Sequence, residues 1–138
     1  MLYVIPTNMS VLVVDDEPGI LAALAEYLAS LGCAVDTAVN GQEALAKMQT
    51  SDYHLTLCDV AMPVVTGIEL LEQWLETDHA PCWFVLMSAT PEAVVRTRTT
   101  RYTRYLTKPL HFSELAKVVE ACRVSPEIAA RLNSQRIA

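Results

Sequence analysis

Four short apolar runs in this 138-residue chain each stop on a polar side chain. Val11-Leu12-Val13-Val14 stops at Asp15-Asp16, and Leu55-Thr56-Leu57-Cys58 at Asp59. Phe84-Val85-Leu86-Met87 stops at Ser88, and Tyr105-Leu106-Thr107 at Lys108-Pro109. The runs are continuous rather than alternating, the pattern of strands buried on both faces in a parallel sheet. A lone carboxylate at the end of such a strand costs desolvation and returns nothing to folding unless it meets a partner. If the four strands are parallel neighbours, three acids, a hydroxyl and an ammonium gather at one edge of one sheet.

The segments between these runs read as helices. Pro18 suits a first helical turn, and Ile20, Leu21, Leu24, Leu28 and Leu31 recur at helical spacing before Gly32. Residues 34–39 form a short second strand. Asn40 with Glu43 three residues on is a capping-box variant, and Ala44, Leu45 and Met48 give the second helix its apolar face. The third strand covers residues 54–58. Gly67 opens a third helix with a stripe of Ile68, Leu71 and Leu75, widened by Leu70 and Trp74. The fourth strand covers residues 82–87, a weak helical segment starts at Pro91, and the fifth strand covers residues 104–107. Ser113 is expected to cap a last helix carrying Leu115, Val118, Val119 and Cys122. Strand and helix alternate five times, which implies an α/β fold: a doubly wound parallel sheet with helices on both faces. Ligands of such sheets bind beyond the C-terminal strand ends, where the polar residues fall.

Composition narrows the class. Apolar content of 52% with 19% charged residues excludes a disordered chain, and a chain near this size can bury about 68–70% of its surface. No apolar run reaches the roughly 18 residues of a membrane span, and residues 1–6 lack a basic leader, so no membrane association and a cytoplasmic location are expected. The net charge of −6 argues against direct nucleic-acid binding by this domain. Cys33, Cys58, Cys82 and Cys122 show no CxxC spacing, which speaks against zinc or disulfides. His54, His79 and His111 show no ligand spacing either, and His54 falls at a strand start.

Asp15, Asp16 and Asp59 together need relief. Two carboxylates ~4 Å apart repel by about 4 kcal/mol at an effective dielectric of 20. Lys108, a raised pKa or a divalent cation would supply it, and an all-oxygen set with room for water suits Mg²⁺. An incoming phosphoryl group would then meet Lys108, the Ser88 hydroxyl and backbone N–H groups after Asp59, with Asp59 as a candidate nucleophile.

Leu12-Val13-Val14-Asp15-Asp16-Glu17-Pro18, Asp59-Val60-Ala61-Met62-Pro63 with Gly67, Met87-Ser88-Ala89 and Leu106-Thr107-Lys108-Pro109 together resemble the receiver domain of two-component response regulators. The resemblance spans about residues 10–123. It implies a flavodoxin-like strand order 2-1-3-4-5 and a phosphoryl group accepted by Asp59 from a sensor histidine kinase or phosphotransfer protein. It also implies direct Mg²⁺ ligation by Asp16, Asp59 and the Ala61 carbonyl, with Asp15 acting through water. Ser88 matches the switch hydroxyl, Lys108 the phosphate-pairing lysine and Tyr105 the aromatic switch. An output surface on helix four, strand five and helix five would respond, acting on an unknown effector or output domain. Residues 1–9 are then a lead-in, and residues 124–138 a tail or the start of a linker, with a short amphipathic turn over residues 127–132.

The chain departs from the pattern between Ser88 and Lys108. Arg96, Thr97, Arg98, Thr99, Thr100, Arg101, Tyr102, Thr103 and Arg104 interrupt the apolar stripe with poor helix formers, so the fourth helix is expected to be short, displaced or mobile. The arginines form a solvated face or a docking surface for an acidic partner, the former preferred. Ala61 and Thr90, beside the phosphoryl position, offer no reason for fast hydrolysis. Two other functions compete. A haloacid-dehalogenase-type phosphohydrolase would carry its nucleophile in a DxD pattern on strand one, whereas here the first-strand acids are adjacent. A flavin binder would need a hydroxyl- and Gly-rich loop after strand one, which is missing.

Overall fold

The computed structural model describes residues 9–137. The lead-in expected over residues 1–9 lies outside the described residues except for Met9, which is buried. Five strands, β1 (Ser10–Val14), β2 (Ala34–Ala38), β3 (Leu55–Asp59), β4 (Trp83–Ser88) and β5 (Arg104–Thr107), form one sheet in the order β2-β1-β3-β4-β5. Every pairing is parallel. The helices are α1 (Pro18–Ser30), α2 (Gly41–Thr50), α3 (Gly67–Leu75), α4 (Glu92–Val95), α5 (Phe112–Val124) and α6 (Pro126–Ile137).

Strand alternation sorts the core into two layers. Val11, Val13, Leu55, Leu57, Val85, Met87 and Leu106 meet Leu21, Leu24 and Leu28 of α1 and Leu115, Val119 and Cys122 of α5. Leu12, Val14, Cys58, Phe84 and Leu86 meet Ala44 and Met48 of α2, Ile68, Leu70, Leu71 and Trp74 of α3, and Val95 of α4. The central strands β3 and β4 are buried at every position, which explains why their sequences do not alternate.

Local chemistry sets the helix ends. Pro18 stands at the start of α1, and the Asn40 side chain accepts from the Glu43 N–H at α2. Thr66 and Glu69 form a reciprocal capping box at α3, so the residue before Gly67, not Gly67 itself, fixes that start. The expected Ser113 cap is not formed. The His111 carbonyl accepts from Glu114 and Leu115 N–H (3.0 and 3.1 Å), which winds Ser113 into the first turn of α5.

α4 is a single turn of four residues, as its threonine-rich continuation suggests. Its Glu92 carboxylate accepts from the Tyr102 hydroxyl (2.6 Å), tying the turn to the approach to β5. The short turn expected over residues 127–132 is instead part of the twelve-residue α6. Ile128 (0% exposed) and Leu132 (8%) enter the α1–α5 core layer. Arg131 donates to the carbonyls of Asp52 (3.0 Å), Tyr53 (2.9 Å) and Pro81 (2.5 Å), at the chain entries to β3 and β4. The buried His54, just before β3, accepts at Nδ1 from Ser10 N–H (2.9 Å), and its Nε2 donates to Gln135 Oε1 (3.0 Å). These long-range bonds hold α6 against the N-terminal edge of the sheet, opposite the acids. None of the helices among the described residues is long and apolar enough to cross a membrane.

Candidate functional site

Register brings the predicted residues together. Val14 pairs with Cys58, so Asp15 and Asp59 each lie one residue beyond the same rung. Asp59 pairs with Met87 and Ser88 with Thr107, which places Ser88 and Lys108 at the same C-terminal edge. One carboxylate oxygen from each of Asp15, Asp16 and Asp59 lies within 4.8 Å of the others. Asp15 and Asp59 are buried and Asp16 is exposed, so the group opens to solvent on one side only.

Lys108 answers the repulsion. Its Nζ lies 3.1 Å from Asp15 Oδ2 and 3.3 Å from Asp59 Oδ2, bridging the two buried acids. Burial pushes the Asp59 carboxyl up from its usual pKa; the Lys108 charge opposes this, Asp15 adds to it, and the net shift is upward. For Lys108, burial works against the ammonium, but the hydrogen bond to Asp15 and the charges of both acids raise its pKa. One cation thus balances two buried anions, with a third acid beside them. The excess negative charge favours a further cation, and the donors are all oxygen.

Backbone groups complete the wall. Asp15 Oδ1 accepts from Glu17 N–H (2.9 Å), and Asp59 Oδ1 from Ala61 N–H (3.3 Å). Ser88 Oγ accepts from Thr90 N–H (3.0 Å), and the Tyr105 hydroxyl donates to the Thr90 carbonyl. Thr90 therefore joins the hydroxyl and the aromatic ring through its main chain. Such a role depends on no side chain, so residue type gave no sign of it.

Gly67 is required by close approach. Its N–H donates to the Val60 carbonyl (2.9 Å), and a Cβ there would lie 2.4 Å from the Asp59 carbonyl oxygen. Between them, Val64 has φ 69°, and Val65 N–H donates to the Pro63 carbonyl (2.8 Å) in a three-residue turn. A β-branched residue with positive φ is a strained outlier, and this one is 94% exposed at the lip of the site.

Comparison with known proteins agrees with this geometry. Residues 11–120 match the model of the response regulator receiver domain. The transcriptional regulatory protein ResD of Bacillus subtilis is 35% identical over 113 residues, covering 80% of this chain and 46% of ResD. VanRB of Enterococcus faecalis, a regulatory protein, is 28% identical over 83% of this chain and 52% of its own length. The sensor protein EvgS of Escherichia coli O157:H7 is 36% identical over 62% of this chain but only 7% of EvgS. The chain thus spans about half the length of the regulators it matches. Among solved structures, the Thermotoga maritima response regulator TrrA in complex with Mg(2+)-BeF superposes with a TM-score of 0.72 at 32% identity, covering 82% of this chain and 97% of TrrA. Regulators on both sequence and structural grounds leave no support for the phosphohydrolase alternative, and this chain belongs to the family of two-component response regulator receiver domains.

Proposed function

We propose that Asp59 is the phosphoacceptor of this chain. A carboxylate oxygen of Asp59 attacks the phosphorus of a phosphohistidine on a sensor kinase or phosphotransfer protein. The O–P bond forms as the P–N bond breaks, and the bonding pair stays on the donor imidazole. Lys108, already 3.3 Å from Asp59, follows the negative charge onto the phosphoryl oxygens. Ser88 supplies a hydroxyl that turns from Thr90 toward the same oxygens, and Tyr105 follows as the aromatic switch, altering the surface of α4, β5 and α5. The three carboxylates fit Mg²⁺, which Asp16, Asp59 and the Ala61 carbonyl would hold directly and Asp15 through water. When bound, the ion supplies positive charge against the phosphoryl oxygens.

The observation that carries this reading is the Lys108 ammonium bridging two buried strand-end acids beside a third. The protein is then a switch, catalysing only its own phosphorylation and dephosphorylation. Its partners are a sensor kinase and an effector or output domain. Residues 10–123 carry the receiver function, α6 packs against them through Ile128 and Leu132, and the setting is cytoplasmic. Incubation with acetyl phosphate and Mg²⁺ tests the assignment. One acid-stable, base-labile phosphate per chain, absent in Asp59→Asn, is expected. Label retained in that variant, or multiple turnover of assorted phosphomonoesters, would overturn it.

A further inference from the structure

The turn between β2 and α2 meets both loops that carry acids, and the phosphoacceptor reading gives it no role. Asp15 N–H donates to the Ala38 carbonyl (3.2 Å) at the end of β2, which anchors the first acidic loop there. Gly41 then opens α2 and is buried. A Cβ at Gly41 would lie 2.7 Å from Val65 Cγ1, 2.9 Å from Val65 Cβ and 3.1 Å from the Val65 carbonyl oxygen. Val65 belongs to the loop that leaves Asp59 and carries Ala61. One short turn thus borders the loop after β1 and the loop after β3.

Backbone conformation does not call for glycine at this place. The positive-φ glycine among the described residues is Gly32, so Gly41 has a conformation open to other residues, and alanine would favour the helix on propensity alone. What excludes a side chain is Val65. Its β-branched side chain is short and stiff, with no flexible end to swing away. The loop around it has little slack. Val60 N–H donates to the Met87 carbonyl (2.9 Å), and the Val60 carbonyl accepts from Gly67 N–H (2.9 Å). Met62 is buried in the α2–α3 core layer, and Val64 already stands at φ 69°. On the other side, Asn40 Oδ1 accepts from Glu43 N–H (2.7 Å), and Glu43 Oε1 accepts from Val39 N–H (3.2 Å). A methyl at position 41 therefore has to displace one side or the other, and each side holds an acid-bearing loop.

We infer that Gly41 is a positioning residue for the acidic site: the space it leaves seats Val65 and lets the β2–α2 turn fix the two acid-bearing loops relative to each other. It touches neither phosphate nor metal. The gap it keeps sets the distance between the loop of Asp15 and Asp16 and the loop of Ala61. This deepens the phosphoacceptor reading and rests on the Mg²⁺ ligand set named there. Oxygen donors that share one small ion tolerate little drift, because Mg²⁺ demands near-octahedral geometry at about 2.0–2.1 Å. Groups that only orient such donors are worth roughly tenfold or more in metal affinity.

Urea unfolding of the full chain over a range of Mg²⁺ concentrations tests this, because an ion that binds only the folded state raises the unfolding free energy according to its affinity. A purely structural cost at position 41 would lower stability equally with and without the ion. Gly41→Ala is instead expected to bind Mg²⁺ at least about threefold more weakly than wild type. Val65→Ala, which opens the same contact from the other side, should also weaken binding. The double variant should bind more tightly than Gly41→Ala alone, since the added methyl then meets no Cγ1. A smaller loss in Gly41→Ala, or a double variant no tighter than it, would overturn the inference. If Gly41→Ala does not fold in chelated buffer, Val65→Ala decides, and an unchanged affinity there overturns it equally. Acetyl phosphate labelling of Asp59 is scored on the same proteins. A wild type that gains no stability from Mg²⁺ refutes the ion's place in the phosphoacceptor reading and this inference with it. A wild type that gains stability and takes the label, while Gly41→Ala binds equally well, refutes the inference alone.

Discussion

Ile128→Ala asks whether α6 folds with the rest of the domain. Ile128 is fully buried in the α1–α5 core layer, and truncating such a side chain costs about 3 kcal/mol through lost transfer energy and the cavity left behind. That is a large part of the roughly 5–15 kcal/mol that holds a domain together. The full cost reaches global stability only if α6 cannot undock first; a detachable tail would cap the effect at its own undocking energy. Arg131→Met separates these cases from the polar side. It removes bonds to three carbonyls, two of which water can reach, for about 1.5 kcal/mol. The two tryptophans report different places: Trp83 donates to Glu127 Oε1 of α6 (3.0 Å), whereas Trp74 packs in the other layer. In a Trp74→Phe background, urea unfolding followed by Trp83 fluorescence and by far-UV circular dichroism should give one coincident transition. Ile128→Ala should shift both probes together. A Trp83 transition that precedes the loss of helix, with the circular dichroism midpoint moved by less than about 0.5 kcal/mol, would refute the integration of α6.

Burial, and secondarily the Arg131 charge, lower the pKa of His54 below its usual value. Above pH about 6.5 the ring is neutral in both states and the bonds to Ser10 and Gln135 contribute fully. As pH falls below that value toward the lowered folded pKa, the unfolded chain takes up the proton first and stability drops; unfolding free energies of wild type and His54→Asn across this window should differ in slope. Val64→Asn should raise the unfolding free energy by about 1 kcal/mol, because Asn tolerates positive φ better than Val; an unchanged or lower value by urea titration counts against strain at that turn. In chelated buffer at pH 7, Asp59→Asn should raise the unfolding free energy measured by urea titration, and a lower value would count against this reasoning. The raised pKa means that ionised Asp59 is penalised in the fold, and Lys108 keeps Asp15 as its partner. Ala61 presents a methyl at the lip of the site, so Ala61→Asn should shorten the aspartyl-phosphate lifetime. A wild type that hydrolyses faster would refute that account of the position.

What the sequence made legible is what residue type alone can encode. Strands buried on both faces must be continuously apolar, so Leu55–Asp59 and Trp83–Ser88 could be found with an error of one residue, and their polar ends marked the site edge. The acids, the hydroxyl and the lysine are costly where they stand, and that cost made them visible. The features that escaped notice depend on main-chain acceptors or on distant partners. α6 has a thin stripe, Ile128 and Leu132, and its attachment depends on Arg131 reaching carbonyls 50 to 79 residues away. Any residue offers such a carbonyl, so no pattern announces it. The Thr90 carbonyl behind Tyr105 is hidden for the same reason. Val64 escaped differently: nothing in Pro63-Val64-Val65 signals a positive φ, and the turn forms because Gly67 must press against the Asp59 carbonyl just past it. The strained valine is then a consequence of packing the third helix onto the acceptor strand, and relieving it should leave the acids where they are.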